Sequence, residues 1–228
     1  MNSNMSIAEH LQQIKGTIPE HVTLVAVSKT KPVATIMEAY EAGQRVFGEN
    51  KVQEMTQKWE IMPKDIQWHM IGHLQRNKVK YMASFVSLIH GVDSLKLLKE
   101  IDKQARKHDR VIDCLLQIHI AEESTKFGMD EAEVTTLLSS EEFKGLKNIR
   151  VTGLMGMATF TQDQQQIQKE FEHLSELFKK LERNYTETFN FKLETLSMGM
   201  SGDYKLAIAQ GSTMVRIGSS IFGARNYH

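Results

Sequence analysis

Lys29 ends the run Thr23-Leu-Val-Ala-Val-Ser-Lys29, which puts a lysine at the carboxyl end of an apolar, β-branched stretch. An amine held there is partly withdrawn from water. Desolvation penalises the ammonium form and leaves a nucleophile able to condense with an aldehyde to a Schiff base. A solvated lysine just beyond a strand is the plainer reading of the same spacing. Lys31 is the rival amine, but it precedes Pro32, which favours an extended backbone and a better solvated side chain.

Two later segments suit an anion. Ser197-Met-Gly-Met-Ser-Gly-Asp203 offers small residues whose backbone N–H groups can approach a charged group, with a helical pattern after it adding a favourable dipole. Ser201 can donate its hydroxyl there, or cap that helix. In Val215-Arg-Ile-Gly-Ser-Ser220, Gly218 and Ser219 offer a second set of donors. Arg216 lies inside this last apolar run and needs a partner, either an ion pair or a ligand. Asn50, in Gly48-Glu-Asn50, can present an amide at a strand end or cap the following helix.

Trp68-His-Met-Ile-Gly-His73 holds two histidines but reads as a strand and lacks the Glu after the first His of a zinc-peptidase helix, so no metal is expected. His69 and His119 read as structural or surface residues. Cys114, the single cysteine, sits in an apolar run and reads as an inert core residue, as suits a reducing compartment.

The elements that must position these residues alternate in type. Candidate strands cover 23–29, 45–48, 67–72, 85–91, 113–120, 149–155, 193–198 and 214–218, with helical patterns near 33–42, 50–59, 75–82, 94–108, 130–139, 163–183 and 203–210 and one more at 5–15. Pro32 suits a helix start, and Gly43 and Gly211 suit helix ends. Ile167, Phe171, Leu174, Leu177 and Leu181 form one stripe. Eight strand–helix units without a Pro/Gly/Ser-rich linker predict a closed (β/α)8 TIM barrel, one domain over 1–228 with an extra N-terminal helix. An open doubly wound sheet is less favoured, because no G-x-G-x-x-G turn follows the first strand. In a barrel, the ends of strands and the loops after them form the site, and the loops after strands seven and eight often take phosphate.

Lys plus Arg and Asp plus Glu number 28 each, so no long-range field recruits nucleic acid or an anionic membrane surface. No signal peptide or span-length apolar stretch is present, and the expected location is cytoplasmic.

These motifs together resemble the pyridoxal phosphate homeostasis proteins (YggS-like), relatives of the barrel domain of alanine racemase. The resemblance rests on Ala26-Val-Ser-Lys-Thr-Lys-Pro32, Phe47-Gly-Glu-Asn-Lys-Val-Gln-Glu54, Trp68-His-Met-Ile-Gly-His-Leu-Gln-Arg-Asn-Lys78, Gly153-Leu-Met155, Leu196-Ser-Met-Gly-Met-Ser201 and Val215-Arg-Ile-Gly-Ser-Ser-Ile-Phe-Gly-Ala-Arg225. It implies a Schiff base between Lys29 and pyridoxal 5′-phosphate (PLP), phosphate contacts from Ser201, Gly218 and Ser219, Arg216 facing the pyridine nitrogen, and Asn50 near the ring. His119 departs from the family, which has Asn there.

A guanidinium donates only, so it favours an unprotonated ring nitrogen and a weak electron sink. Alanine racemase relies on a second base, a Tyr presented by an additional domain across a dimer; here the chain stops at His228, so the cofactor face opposite Lys29 is expected to be open. The resemblance thus implies a monomeric, non-catalytic carrier that buffers PLP in vitamin B6 homeostasis and hands it to apo forms of PLP-dependent enzymes. The alternatives are a PLP-dependent amino-acid racemase of low activity, with Tyr204 or His73 as second base, and a scaffold that reports B6 status to a partner.

Overall fold

Short strands buried on both faces must be covered outside and filled inside, and here the sheet closes on itself to do both. The structure is a computed structural model. It describes residues 4–124 and 127–224. Thr125, Lys126 and the ends of the expected 1–228 unit, Arg225 of the last motif included, lie outside the described residues.

After α1 (Ile7–Lys15) come β1 (Thr23–Val27), α2 (Val33–Glu41), β2 (Val46–Glu49), α3 (Val52–Ile61), β3 (Gln67–Met70), a 3₁₀ helix (Arg76–Tyr81), β4 (Leu88–Val92), α4 (Leu95–Lys107), β5 (Ile112–Gln117), α5 (Glu131–Ser139), α6 (Glu141–Lys144), β6 (Ile149–Met155), α7 (Gln164–Asn184), β7 (Phe191–Ser197), α8 (Tyr204–Ala209), β8 (Met214–Ile217) and α9 (Ser219–Phe222). The eight parallel strands follow one another around a closed barrel. Closure runs from Thr23 opposite Met214 to Ala26 opposite Ile217. The expected (β/α)8 barrel with a preceding helix is what the chain forms.

The side-chain alternation of each strand sorts the core into two layers. Leu24, Ala26, Phe47, Trp68, Met70, Ile89 and Leu116 face outward and pack against the helices. The stripe on α7 joins them, with Ile167, Phe171, Leu174, Leu177 and Leu181 all buried. Val25, Val27, Ile71, Leu88, Leu115, Met155 and Met214 fill the lumen. Gly43 and Gly211 follow α2 and α8 with φ of 106° and 103°, a region in which a side chain is strained.

Several expected strands are shorter than their apolar runs, β3, β5 and β8 among them, and for two others the cause is a turn. The run 23–29 leaves the sheet after Val27, because Lys31 N–H closes a turn on Ser28 O at 3.1 Å. The run 85–91 begins pairing only at Leu88, since Phe85 and Val86 N–H groups are still spent on Met82 O. The four-residue helices α6 and α9 were not anticipated; one turn is too short to show a period. No described helix is long and apolar enough to cross a membrane.

Candidate functional site

Lys29 takes its place from β1. β1 ends at Val27, whose side chain faces the lumen, and Lys29 lies two residues on, in the turn at the strand's carboxyl end, where the mouth of a barrel forms. The lysine is half-buried. Its turn is strained at Thr30, whose φ of 65° is the left-handed region, a conformation that costs a β-branched residue about 1–3 kcal/mol. Lys31, by contrast, points its ammonium at Gly223 O and Ala224 O, 3.4 Å from each.

Behind this turn lies a buried ionic cluster that the sequence did not disclose. Lys58 on α3 donates to Ser28 O at 2.8 Å, to Glu54 at 2.6 Å and to the Glu49 carboxylate. Burial pushes the Glu49 carboxyl up to about 7, against the opposing pull of Lys58. Asn50 follows on a bend after β2 and is half-buried. It does not cap α3; that position belongs to Lys51, without a side-chain bond. Gly72 lets the neighbouring loop press against it, since a Cβ there would lie 2.5 Å from Asn50 O.

The loops after β7 and β8 meet as the anion reading requires. Gly218 N–H donates to Ser201 Oγ at 3.3 Å, so Ser201 bridges to the next loop instead of capping α8, whose cap residue is Asp203. Ser219 opens α9 and is exposed, and the first N–H groups of a helix have no acceptor within it. Gly218 sits against the end of β1. A Cβ there would come within 3.1 Å of both Val27 Cβ and Val27 O, which brings this loop alongside the strand that carries Lys29.

Arg216 takes the lumen side of β8, two residues past Met214, and is 3% exposed. It donates to the Ser197 hydroxyl and, at 3.1 Å, to Gly156 O. These acceptors are neutral oxygens, in place of the ion pair that was one of its two expected partners. Burial lowers its pKa to about 10, with Asp203 opposing.

From Ser197 a polar chain crosses the barrel. Ser197 Oγ lies 3.0 Å from His90 Nδ1, and His90 Nε2 lies 2.9 Å from His69 Nδ1. Burial depresses both imidazoles, His69 to about 3 and His90 well below its ordinary value. Both are therefore neutral. One consistent proton order runs from the guanidinium to the serine oxygen, from the serine hydroxyl to His90 Nδ1, and from His90 Nε2–H to His69 Nδ1; the tautomers are assigned from this network. The available signal in the sequence was the two-residue period, which sets His69 beside Ile71 and His90 beside Leu88 on the lumen face.

The two candidate second bases fare differently. Tyr204 is buried, and its hydroxyl is 2.8 Å from Thr17 Oγ1, just past α1. That contact engages its hydroxyl with the turn after the N-terminal helix. His73 is exposed and its ring stacks on Phe127, 4.1 Å between centroids and 12° between planes, joining the loops after β3 and β5. His119 is half-buried, with its backbone N–H donating to Met129 O at 3.0 Å. Cys114 is fully buried, and burial pushes its thiol pKa up, which keeps it in the unreactive protonated form.

This arrangement has close relatives. The family described as alanine racemase, N-terminal domain, matches residues 4–226. A pyridoxal phosphate homeostasis protein of Vibrio alginolyticus is 41% identical over 95% of this chain and 92% of that protein. One from Aquifex aeolicus is 41% identical over 90% of this chain and 87% of its own length. PipY of Synechococcus elongatus PCC7942, solved with PLP bound, superposes with a TM-score of 0.86 at 35% identity, over 96% of this chain and 100% of that one. An alanine racemase of Clostridium difficile, 14% identical with a TM-score of 0.77 over 97% of this chain and 56% of its own, shares the fold. The chain belongs to the pyridoxal phosphate homeostasis protein family, within the larger family of the alanine racemase N-terminal domain.

Proposed function

We propose that this chain binds PLP at the barrel mouth through a Schiff base on Lys29 and carries or buffers it, as a barrel unit over 1–228 acting in B6 homeostasis. The observation that carries the reading is the meeting, around the end of β1, of a half-buried lysine with a glycine cradle that a methyl group would crowd. A relative 35% identical, PipY, has been solved with PLP bound, which supports the same ligand here.

The residues fit the ligand's chemistry. Ser219 N–H and the Ser201 hydroxyl would donate to the phosphate, and Gly218 N–H would join them on leaving its bond to Ser201 Oγ. Arg216 would face the ring nitrogen and Asn50 the ring. When bound, PLP supplies an aldehyde that condenses with the Lys29 amine, releasing one water, and a ring that can withdraw electrons. The protein's part is to hold the amine desolvated, seat the phosphate, and give the ring nitrogen a donor that never removes its lone-pair role. A permanently charged guanidinium fixed by neutral acceptors does the last of these, and so weakens the ring as an electron sink.

This favours carriage over efficient turnover, with apo PLP-dependent enzymes as recipients and a monomer as the working form. Racemisation would need a proton acceptor opposite Lys29, and Tyr204 is committed to Thr17. The deciding experiment treats the PLP-incubated protein with borohydride and maps the pyridoxyl adduct by mass spectrometry. An adduct on Lys29, absent from Lys29→Ala, supports the reading; an adduct elsewhere, or none, overturns it. Transfer of bound PLP to an apo-enzyme faster than from an equal concentration of free PLP supports delivery, whereas α-proton exchange of amino acids at enzymic rates would favour the racemase.

A further inference from the structure

The buried cluster behind Lys29 is bonded to both of its chain neighbours. Lys58, 6% exposed, holds Ser28 O at 2.8 Å. The Ser28 hydroxyl donates to Glu49 Oε1 at 3.0 Å. On the other side, Thr30 N–H donates at 2.7 Å to Glu54 Oε2, the same oxygen that Lys58 grips at 2.6 Å. One ammonium thus ties together the carbonyl before Lys29 and the acceptor of the amide after it. Glu49 belongs to β2 and Lys58 to α3, so the turn is fastened to the barrel wall and to the helix outside it.

Building on the PLP reading, we infer that Lys58 is a positioning residue which, through Glu49 and Glu54, holds the Ser28–Thr30 turn in the conformation that presents the Lys29 amine at the mouth. Two observations make this more than core filling. A lysine and a carboxylate withdrawn from water, as Lys58 and Glu49 are, often give no more stability than well-packed apolar side chains of the same volume. The backbone bonds of this cluster converge on the residues flanking Lys29, one of which is the strained Thr30. A left-handed threonine persists only where its surroundings impose it.

The test is a cycle of Lys58→Met, Thr30→Gly and the double variant. Glycine adopts a φ near 65° without strain, so it replaces what the cluster imposes on Thr30. The rate of borohydride-trapped adduct formation at Lys29 is followed together with hydrogen exchange in the peptide containing Thr30. Lys58→Met is expected to slow adduct formation roughly tenfold or more, the factor that release of one strained conformation implies. It also exposes the Thr30 amide to exchange, while Lys58→Arg restores much of both. Thr30→Gly added to Lys58→Met recovers the adduct rate, a coupling that a merely structural lysine would not give.

Should Lys58→Met fail to fold, Glu54→Ala gives the same readouts, since that side chain is a quarter exposed and its loss leaves the Glu49–Lys58 pair in place. Unchanged adduct rates in the variants, or strictly additive losses in the cycle, overturn the inference. If the parent protein forms no adduct on Lys29, the PLP reading fails by itself, and the exchange of the Thr30 amide still reports whether the cluster holds the turn.

Discussion

Arg216 donates to the Ser197 hydroxyl in the barrel lumen, so a fully buried cation rests on a neutral side chain that is itself bonded to His90. The arrangement makes Ser197 answerable to two neighbours at once. Ser197→Ala removes an acceptor from the guanidinium and a partner from His90 Nδ1, with no water expected to replace either. Leaving buried polar groups unmatched costs about 1–3 kcal/mol. Urea denaturation should show that loss, and PLP retention should weaken with it because Arg216 is no longer fixed. Unchanged stability and retention would mean that Gly156 O alone orients the guanidinium.

The histidines of the same chain predict acid sensitivity. Burial depresses His69 to about 3, far below an unfolded histidine near 6.5. The folded state keeps this imidazole neutral while the unfolded chain takes up a proton, so stability is complete above about pH 6.5 and is lost as pH falls toward 3. His90 acts in the same direction. His69→Gln retains an acceptor for His90 Nε2–H but cannot titrate. Chemical denaturation from pH 7 down to pH 4 should show a flatter decline for the variant than for the parent.

Glu49 gives the opposite slope. Its folded carboxyl is raised to about 7 by burial, against an ordinary 4.5. Between those values the folded protein holds a proton that the unfolded chain has released, so raising the pH through this window removes stability, by up to about 3 kcal/mol. Below about 4.5 the penalty is absent. Glu49→Gln should abolish that component, seen as a parent-minus-variant stability difference that changes between pH 4.5 and 7.5 and is flat on either side. A difference independent of pH would place the carboxyl in the ordinary range.

Much of this was readable before the fold. The eight strand positions and their alternation led to the barrel, and because parallel strands all end on one side, Lys29 and the loops of Ser201, Gly218 and Ser219 are expected near one mouth, with Arg216 inside the last strand. What escaped were relationships that need three dimensions. Lys58 lies on a helix with charged residues around it, a setting typical of a solvated side chain, until α3 packs over β2 and β3 and closes it in. His69 and His90 are 21 residues apart and meet only because consecutive strands are neighbours. Tyr204 looked available because nothing in its local sequence shows that α8 turns it toward Thr17.

The two lysines of the first loop should separate cleanly. Lys29→Ala is expected to abolish the borohydride-stable pyridoxyl adduct. Lys31→Ala should leave it intact, because that ammonium is directed at Gly223 O and Ala224 O. Peptide mapping after reduction distinguishes the two, and an adduct that persists in Lys29→Ala but vanishes in Lys31→Ala would reverse the assignment.

Gly218 offers the most local test of the anion cradle. Its φ of −122° is outside the left-handed region, so Gly218→Ala forces no positive φ on alanine and chiefly adds a methyl group. That methyl would meet Val27 Cβ and Val27 O at 3.1 Å, where the end of β1 has little room to retreat. Crowding of this kind typically costs about 1–3 kcal/mol. It should move the loop after β8 away from β1, separating the phosphate donors from Lys29. The expected signature is selective: PLP binding weakens strongly, whereas pyridoxal, which lacks the phosphate, loses little of its already poor binding. Equal losses for both aldehydes would show that the methyl group disturbs Lys29 itself and that the phosphate is held elsewhere.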